Sequence, residues 1–181
     1  MPASCMLRWR RVATPLQFLR PLAHGYLLRV AGRHMHGQLR ICILPQGVAV
    51  NRHVYAGIIK NHFSRWLRSV RRPILVQDHE RALWCDEPLA AMEESGITVL
   101  DKRPKHSADL NPIENVWALL RERLAKTLPP TTEGRAAFVA RLRAAVMWLN
   151  RNRRGAMRQL AGSIKQRALA VQDNHGHRIA F

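Results

Sequence analysis

Two acidic residues, Asp78 and Glu114, are the strongest candidates for chemistry because each lies at the end of a predicted secondary-structure element. Asp78 follows Ile74-Leu75-Val76, a wholly apolar run typical of a short buried strand. Open α/β sheets bind their ligands at the carboxyl ends of such strands. Glu114 lies in the first turn of a later predicted helix, after 35 intervening residues. This interval accommodates a helix, a strand and a returning loop, so the two carboxylates are placed to share a divalent ion.

The same residues also have a purely structural interpretation. Asn111 is a good helix N-cap, Pro112 suits the first helical position, and Glu114 would reach back as a capping-box glutamate. Asp78 would likewise serve as a helix cap, and Asp109 would order the loop before the helix. Spacing alone leaves both interpretations open.

The composition indicates a globular domain with an excess of positive charge. The 181 residues fit one domain, and 47% hydrophobic with 23% charged residues argues against wholesale disorder. Thirty Lys and Arg, mostly Arg, against twelve Asp and Glu give a net charge of +18. Arginine suits bidentate contacts with phosphate, so a polyanionic partner is expected, with a non-specific and salt-sensitive part to its binding.

The acidic residues are unevenly distributed, since residues 1–77 contain neither Asp nor Glu. An acid-free, Arg-rich opening such as residues 1–28 has the composition of a mitochondrial transit peptide, which makes organellar import an alternative. The three cysteines, Cys5, Cys42 and Cys85, are isolated and odd in number, so the sequence predicts neither a zinc knuckle nor a disulfide framework. It indicates a reducing compartment. No run approaches about 18 apolar residues, so no membrane partner is predicted.

Hydrophobic periodicity predicts an α/β domain with a mixed sheet. Residues 38–44 and 48–50 are predicted to form a hairpin around Pro45-Gln46-Gly47. Buried strands are expected at residues 74–76 and 97–100. The predicted helices span residues 52–70 and 80–94, a segment that begins at Asn111-Pro112, and residues 133–150 and 155–171. Element order alone does not select one α/β fold.

Two motifs carry a resemblance to a known family. Val76-Gln77-Asp78 and the stretch from Ser107 to Trp117, which contains Asn111-Pro112-Ile113-Glu114, resemble the second and third acidic motifs of mariner-type DDE transposases. The resemblance covers roughly residues 25–181. It implies a ribonuclease-H-like mixed sheet with flanking helices and a helical C-terminal tail. Asp78 and Glu114 would be catalytic residues and ligands of Mg²⁺ or Mn²⁺, and DNA would be the partner.

The chain departs from the family pattern at the first catalytic aspartate. With no acid before Asp78, the family's first strand is expected to be absent or replaced, with residues 26–30 as the substitute. Residues 1–30 are then a basic remnant without a clear match, and residues 31–181 a partial DDE transposase catalytic domain. No counterpart of the family's DNA-reading helix-turn-helix region is matched.

The resemblance therefore implies a transposase fragment that is catalytically incomplete, from a family that cleaves and transfers DNA strands. The alternative is a non-enzymatic basic nucleic-acid-binding protein, and whether the chain is an enzyme stays open. A nuclear location is expected if the source is eukaryotic, and a cytoplasmic one otherwise. The sequence does not identify the residues that bind DNA, and it leaves a homodimer open.

Other residues that resemble functional sites have simpler interpretations. Gln172-Asp173-Asn174-His175 resembles the motif of the second aspartate but lies downstream of Glu114, in the wrong order. Two His-x-His pairs are interpreted as surface residues rather than metal ligands: His34 with His36, and His175 with His177. Three tryptophans fall on apolar helix faces and are predicted to be core rather than base-stacking platforms: Trp66, Trp117 and Trp148.

Overall fold

The computed structural model describes residues 12–13, 30–35, 37–77, 80–100, 110–127, 133–177 and 179. Four residues singled out in the sequence, Cys5, His36, Asp78 and Asp109, lie outside these ranges. Gln77, directly before Asp78, is described, the description resumes at Glu80, and residues 110–127 around Glu114 are described. The approach to Asp78 is therefore described on its N-terminal side, and the chain around Glu114 on both sides.

The described strands form two small sheets. In chain order the strands are β1 (Val12–Ala13), β2 (Val30–Met35), β3 (Gln38–Ile43), β4 (Ile74–Leu75) and β5 (Thr98–Val99). Strands β1, β4 and β5 form a parallel sheet in the order β1-β4-β5, whereas β2 and β3 form an antiparallel hairpin. The architecture is thus a mixed, helix-rich α/β fold with a small parallel sheet.

The strand beside β4 is not the one that the sequence predicts. Val12 pairs with Ile74 and Ala13 with Leu75, so the position next to β4 is taken by β1. Of residues 26–30, only Val30 is described, and it begins β2, opposite Ile43. The expected substitution by residues 26–30 is therefore wrong. A two-residue strand in an Arg-rich segment has no periodicity from which it could be recognised.

The hairpin is also displaced from its predicted position. Its turn lies at Gly37, and the prediction of paired strands at 38–44 and 48–50 is wrong because residues 48–50 are not in a strand. The predicted turn at Pro45-Gln46-Gly47 does form, with the Val48 N–H donating to the Pro45 carbonyl at 3.3 Å. It leads into the first helix, where the Asn51 side chain accepts a hydrogen bond from the Val54 N–H at 2.9 Å.

The helices lie close to their predicted positions. In chain order they are α1 (Arg52–Ile58), a π-helical turn (Ile59–Phe63), α2 (Ser64–Leu67), a 3-10 turn (Arg81–Leu83), α3 (Asp86–Glu94), α4 (Ile113–Ala125), α5 (Arg135–Asn152), α6 (Arg154–Gly162) and α7 (Ile164–Asp173). The single helix predicted at 155–171 is two helices, because Gly162 and Ser163 are poor helix formers and break it. Within the described ranges, no helix has the length and apolar character needed to cross a bilayer.

Helices cover the β4 segment from two sides. Leu75 packs in a cluster with Tyr55, Phe63 and Met92, which belong to α1, the π-helical turn and α3. Val76, the next residue, packs against Ile164 at the start of α7. Because successive residues of an extended chain point to opposite faces, α1 and α3 lie on one face of this strand and α7 on the other.

A second cluster joins the hairpin to the C-terminal helices. Leu39 of β3 packs with Trp117 of α4, Leu149 of α5 and Met157 of α6. Trp117 is 2% exposed. The interpretation of the tryptophans as core is confirmed, since Trp66 and Trp148 also pack, partly buried, against the two main clusters.

Candidate active site

The end of β4 is fixed by Gln77, the residue directly before Asp78. Gln77 is 1% exposed. Its side-chain oxygen accepts a hydrogen bond from the Tyr55 hydroxyl at 2.6 Å, and its amide nitrogen donates to the Leu83 carbonyl at 3.2 Å. Gln77 therefore ties the strand end to α1 on one side and to the 3-10 turn on the other. The described strand end stops at Gln77, and Asp78 lies outside the described residues.

The start of α4 is fixed by Asn111, which is fully buried. Its side-chain oxygen accepts a hydrogen bond from the Ile113 N–H at 3.4 Å, and its carbonyl accepts one from the Glu114 N–H at 3.2 Å. Asn111 thus bonds to the start of the helix, but the predicted cap is displaced by one residue: α4 begins at Ile113, and Pro112 rather than Asn111 is at the cap position. Glu114 is half-buried in the first turn of α4.

Helix α7 contacts the neighbourhoods of both candidate carboxylates. Ile164 packs against Val76, two residues before Asp78. One turn further, the guanidinium of Arg167 donates from Nη2 to the Asn115 side-chain oxygen at 2.8 Å, and Asn115 directly follows Glu114. The strand end that carries Asp78 and the helix turn that carries Glu114 therefore share one partner helix.

Arg167 itself is a buried charge. The side chain is 1% exposed, and its Nε donates to the Ser163 hydroxyl at 2.8 Å. The Ser163 hydroxyl in turn donates to the Leu160 carbonyl at 2.7 Å, where α6 ends and α7 begins. The break between the two helices thus supplies the oxygen that orients the guanidinium toward α4.

Sequence reasoning missed both Gln77 and Arg167. Arg167 could have been noticed, because it lies three residues after Ile164 and four before Val171, on the apolar face of α7. A basic residue on such a face is unusual and indicates a buried polar contact. Gln77 gave no comparable signal, since a polar residue directly after an apolar run is not by itself a sign of burial.

The sheet brings no further acid to the described part of this site. Strand β1, which pairs with β4, consists of Val12 and Ala13, and residues 1–77 contain no Asp or Glu. Glu114 offers the carboxylate oxygens that Mg²⁺ prefers. However, no group of three His, Cys, Asp or Glu side chains comes together among the described residues. A metal centre at Asp78 and Glu114 therefore stays a proposal.

The other residues considered as ligands are not brought together by the described structure. His175 and His177 are exposed beyond α7, and His34 lies in β2 with its side chain outside the description. Asp173, the acid of the misplaced motif, is the exposed last residue of α7.

A surface cavity of about 610 Å³ lies between the start of α1 and the 3-10 turn. It is lined by the residues that lead into α1 and by those around the 3-10 turn, including His53, Glu80 and Cys85. His53 is paired with Glu87 of α3, with 2.6 Å between Nδ1 and Oε2. Glu114 and the other described residues of the candidate site do not line this cavity.

The fold is similar to that of known transposases. The catalytic domain of Mos1 mariner transposase matches with a TM-score of 0.74 at 13% identity, covering 95% of this chain and 85% of that chain. The Mos1 catalytic domain with raltegravir and Mg matches at 0.71 and 13% identity, over 95% and 87% of the two chains. The Mos1 paired-end complex with the left transposon end matches at 0.77 and 16%, over 95% and 57%.

No protein-family model matches the chain, and no curated protein does. At these identities the structural likeness shows the fold: the chain is folded as a mariner transposase catalytic domain is folded. It does not by itself transfer an activity.

Proposed function

We propose that the chain is a fragment of a mariner-type DDE transposase that binds DNA and holds an incomplete metal site. The observation that carries this proposal is the convergence on α7 of the two segments that resemble the family's second and third acidic motifs. The match to the Mos1 catalytic domain over 95% of the chain supports the same origin.

We further propose a ribonuclease-H-like sheet in which β1 stands in for the family's first strand. The parallel order β1-β4-β5, with the β2–β3 hairpin as a separate sheet, supports this assignment. Because β1 consists of Val12 and Ala13, the position that carries the first catalytic aspartate in the family has no acid here. The proposed domain therefore keeps the scaffold and loses one carboxylate.

Asp78 and Glu114 would hold a divalent ion, Mg²⁺ or Mn²⁺. Such ions activate a nucleophilic oxygen and neutralise developing charge in phosphoryl transfer. The chain's own residues position the ligands: Gln77 fixes the strand end, Asn111 fixes the helix start, and Arg167 braces the turn after Glu114. Two carboxylates without a third make an open site that leaves several waters on the ion.

The second candidate is a non-enzymatic basic nucleic-acid-binding protein. The net charge of +18 and the acid-free residues 1–77 favour it, since both support binding and neither supports catalysis. For either candidate, we place the protein with its DNA, in the nucleus of a eukaryote or otherwise in the cytoplasm. A homodimer would correspond to the paired-end arrangement of Mos1.

Calorimetric titration with Mn²⁺ tests the proposed metal site. The wild type is expected to bind weakly, and Asp78→Asn and Glu114→Gln are each expected to abolish the binding isotherm. Glu93→Gln is the matched control, because Glu93 is an exposed glutamate on α3 and its replacement removes the same charge elsewhere. Identical isotherms for all four proteins would contradict the metal site and favour the second candidate.

A further inference from the structure

The C-terminal helices carry a concentration of positive charge that the candidate active site does not use. Residues 134–172 contain nine Lys and Arg and no Asp or Glu. Three of the nine form hydrogen bonds or ion pairs within the protein. Arg135 donates to the Leu44 carbonyl, Arg141 pairs with Glu133, and Arg167 bonds with Asn115. The remaining basic residues are the ones available to a partner.

Four of the remaining arginines lie where α5 ends and α6 begins. Arg151 is in the last turn of α5, Arg153 joins the helices, and Arg154 and Arg158 lie one turn apart at the start of α6. All four are exposed. We call these four residues the corner patch. Residues four apart on a helix lie on the same side, so Arg154 and Arg158 project together.

The backbone beneath the corner patch is held by the β2–β3 hairpin. A Cβ atom at Gly37 would overlap the Arg154 carbonyl oxygen and lie 3.1 Å from Arg154 Cγ and 3.3 Å from Arg158 Cβ, so only glycine fits this approach. Nearby, the Asn150 side chain accepts from the Leu39 N–H at 2.7 Å and donates to the Leu39 carbonyl at 2.9 Å. The backbone that carries the corner patch is therefore held in place by contacts with the β2–β3 hairpin.

Intramolecular interactions do not account for these arginines. Within the described ranges, the guanidinium groups of Arg151, Arg154 and Arg158 donate no hydrogen bond and form no ion pair. Basic residues at the start of a helix also oppose its dipole, which favours acids there, yet the first turn of α6 has none. Arg154 and Arg158 thus oppose the dipole of α6, whereas Arg151 lies favourably in the last turn of α5, and the exposed guanidinium groups of all three are open to an external anion.

Arg153 differs from the other three because it has an acidic neighbour. The pKa of Glu122 is lowered, first by the hydrogen bond and charge of Lys126 and additionally by the charge of Arg153. Arg153 is thus partly neutralised by α4 and is left out of the variants below.

We infer that the corner patch contacts the phosphates of duplex DNA, an inference that rests on the proposed function. Guanidinium groups match phosphate geometry bidentately, and several on one braced surface follow a phosphate backbone without reading sequence. A lipid surface fits less well, because a membrane-binding helix needs an apolar face. Near the patch, the described residues offer one large exposed apolar side chain, Met147, which is 71% exposed.

Two charge-matched triple variants test the inference. Arg151, Arg154 and Arg158 are replaced by Gln, which keeps the Cβ and Cγ atoms that pack on Gly37. The control replaces Arg65, Arg68 and Arg72, three exposed arginines in and after α2, by Gln and lowers the net charge equally. Affinity for a 30-base-pair duplex is measured across a salt series, with phosphatidylserine vesicles as a parallel probe.

The patch variant is expected to lose at least 10-fold in DNA affinity. The slope of log affinity against log salt should fall by about three, since each lost phosphate contact removes about 0.9. The control should keep its slope, and replacement of the three patch arginines by Lys should restore most of the affinity. Equal losses in both Gln variants would overturn the patch, because binding would then follow net charge alone.

The outcomes separate this inference from the proposed function. A wild type that binds no duplex DNA would remove the DNA-binding part of the proposed function and the patch with it. A patch variant that loses vesicle binding and keeps DNA binding would reassign the surface to lipid and overturn the inference. A measurement on the wild type needs no variant: duplex DNA should protect Arg154 and Arg158 from phenylglyoxal, and full modification in the complex would refute the contact.

Discussion

Arg167 is a charged side chain in a position that usually holds an apolar one. It is 1% exposed and bonds with Ser163 on its own helix and Asn115 on α4. A buried guanidinium is tolerated only when hydrogen bonds replace its water, and here these bonds also join α7 to the turn that carries Glu114. The residue thus links the stability of the C-terminal helices to the geometry of the candidate site.

Replacing Arg167 by Met is expected to lower the free energy of unfolding by about 2–4 kcal/mol, since charged hydrogen bonds are lost and Asn115 loses a partner. Lys165→Met is the control on the same helix, because Lys165 is exposed and its loss should cost less than about 0.5 kcal/mol. Urea denaturation followed by circular dichroism measures both. Equal midpoints would contradict the bracing role of Arg167.

Cys42 offers a test of pH dependence. Burial raises the pKa of its thiol, because the thiolate loses its hydration. The unfolded chain therefore ionises at lower pH than the folded one. The stability that Cys42 contributes is present below the unfolded pKa and is lost as the pH rises through the folded pKa.

In a Cys5→Ser background, Cys42 should alkylate with iodoacetamide more slowly than the partly exposed Cys85. Denaturant should remove the difference, and the Cys42→Ala variant should lose less stability than the parent on going to alkaline pH. Mass spectrometry of the two cysteine peptides gives the rates. Native rates that already match those in denaturant would show that Cys42 is not protected.

At the scale of elements, the helices could be predicted from the sequence and the strands only in part. Apolar residues at helical spacing located α1, α4 and α5 because each helix buries one face. Strand β1 was not predictable, since its two residues are a strand only because they pair with β4, far away in sequence. The hairpin was misplaced because Pro45-Gln46-Gly47 is a stronger turn signal than Gly37 alone.

The candidate site was predictable to a similar degree. The positions of Asn111 and Glu114 at the start of a helix followed from local preferences, which tertiary contacts leave intact. The contact of α7 with both motif segments did not, because it joins Val76 to Ile164 and Asn115 to Arg167 across long separations in sequence. Hydrophobic pattern reports which face is buried and not what covers it.

The close contact between the β2–β3 hairpin and α6 requires glycine at position 37, and this requirement can be tested by mutation. Gly37 and Gly47 both have positive φ, at +77° and +79°, so alanine at either position pays about 1 kcal/mol of backbone strain. Only at Gly37 would the new Cβ overlap Arg154, since nothing lies within 4 Å at Gly47.

Gly37→Ala should therefore be less stable than Gly47→Ala by at least about 1–3 kcal/mol, the usual cost of overpacking. Thermal unfolding of the two variants measures the difference. If the two melting temperatures fall equally, the close approach of the hairpin to α6 is wrong, and with it the bracing of the corner patch.

The whole molecule combines a transposase-like scaffold with a charge distribution suited to binding. Its acids lie from Asp78 onward, whereas its arginines extend along the whole chain. The likeness to the Mos1 catalytic domain covers 95% of the chain, so the fold of that domain is present. What distinguishes the molecule is the strand beside β4, where β1 brings Val12 and Ala13 and no acid.

The last prediction is that this chain alone does not cleave DNA. Metal-assisted phosphoryl transfer normally uses two ions about 3.5–4 Å apart, and their charges require enough carboxylates to hold them together. The family uses three, and residues 1–77 contain no acid that could be the first. Asp109 is close to Glu114 in sequence, but it precedes α4 and Pro112, and it is not expected to replace the missing ligand.

Supercoiled plasmid incubated with Mg²⁺ and then with Mn²⁺ should therefore stay supercoiled over the range of protein concentrations that bind it. Glu114→Gln is run in parallel, because nicking that persists in this variant comes from a contaminating nuclease. Nicking by the wild type that disappears in Glu114→Gln would show that two carboxylates of this chain suffice, or that a third ligand comes from another part of it. Either result would make the protein an enzyme, and the lack of an acid in β1 would no longer argue against catalysis.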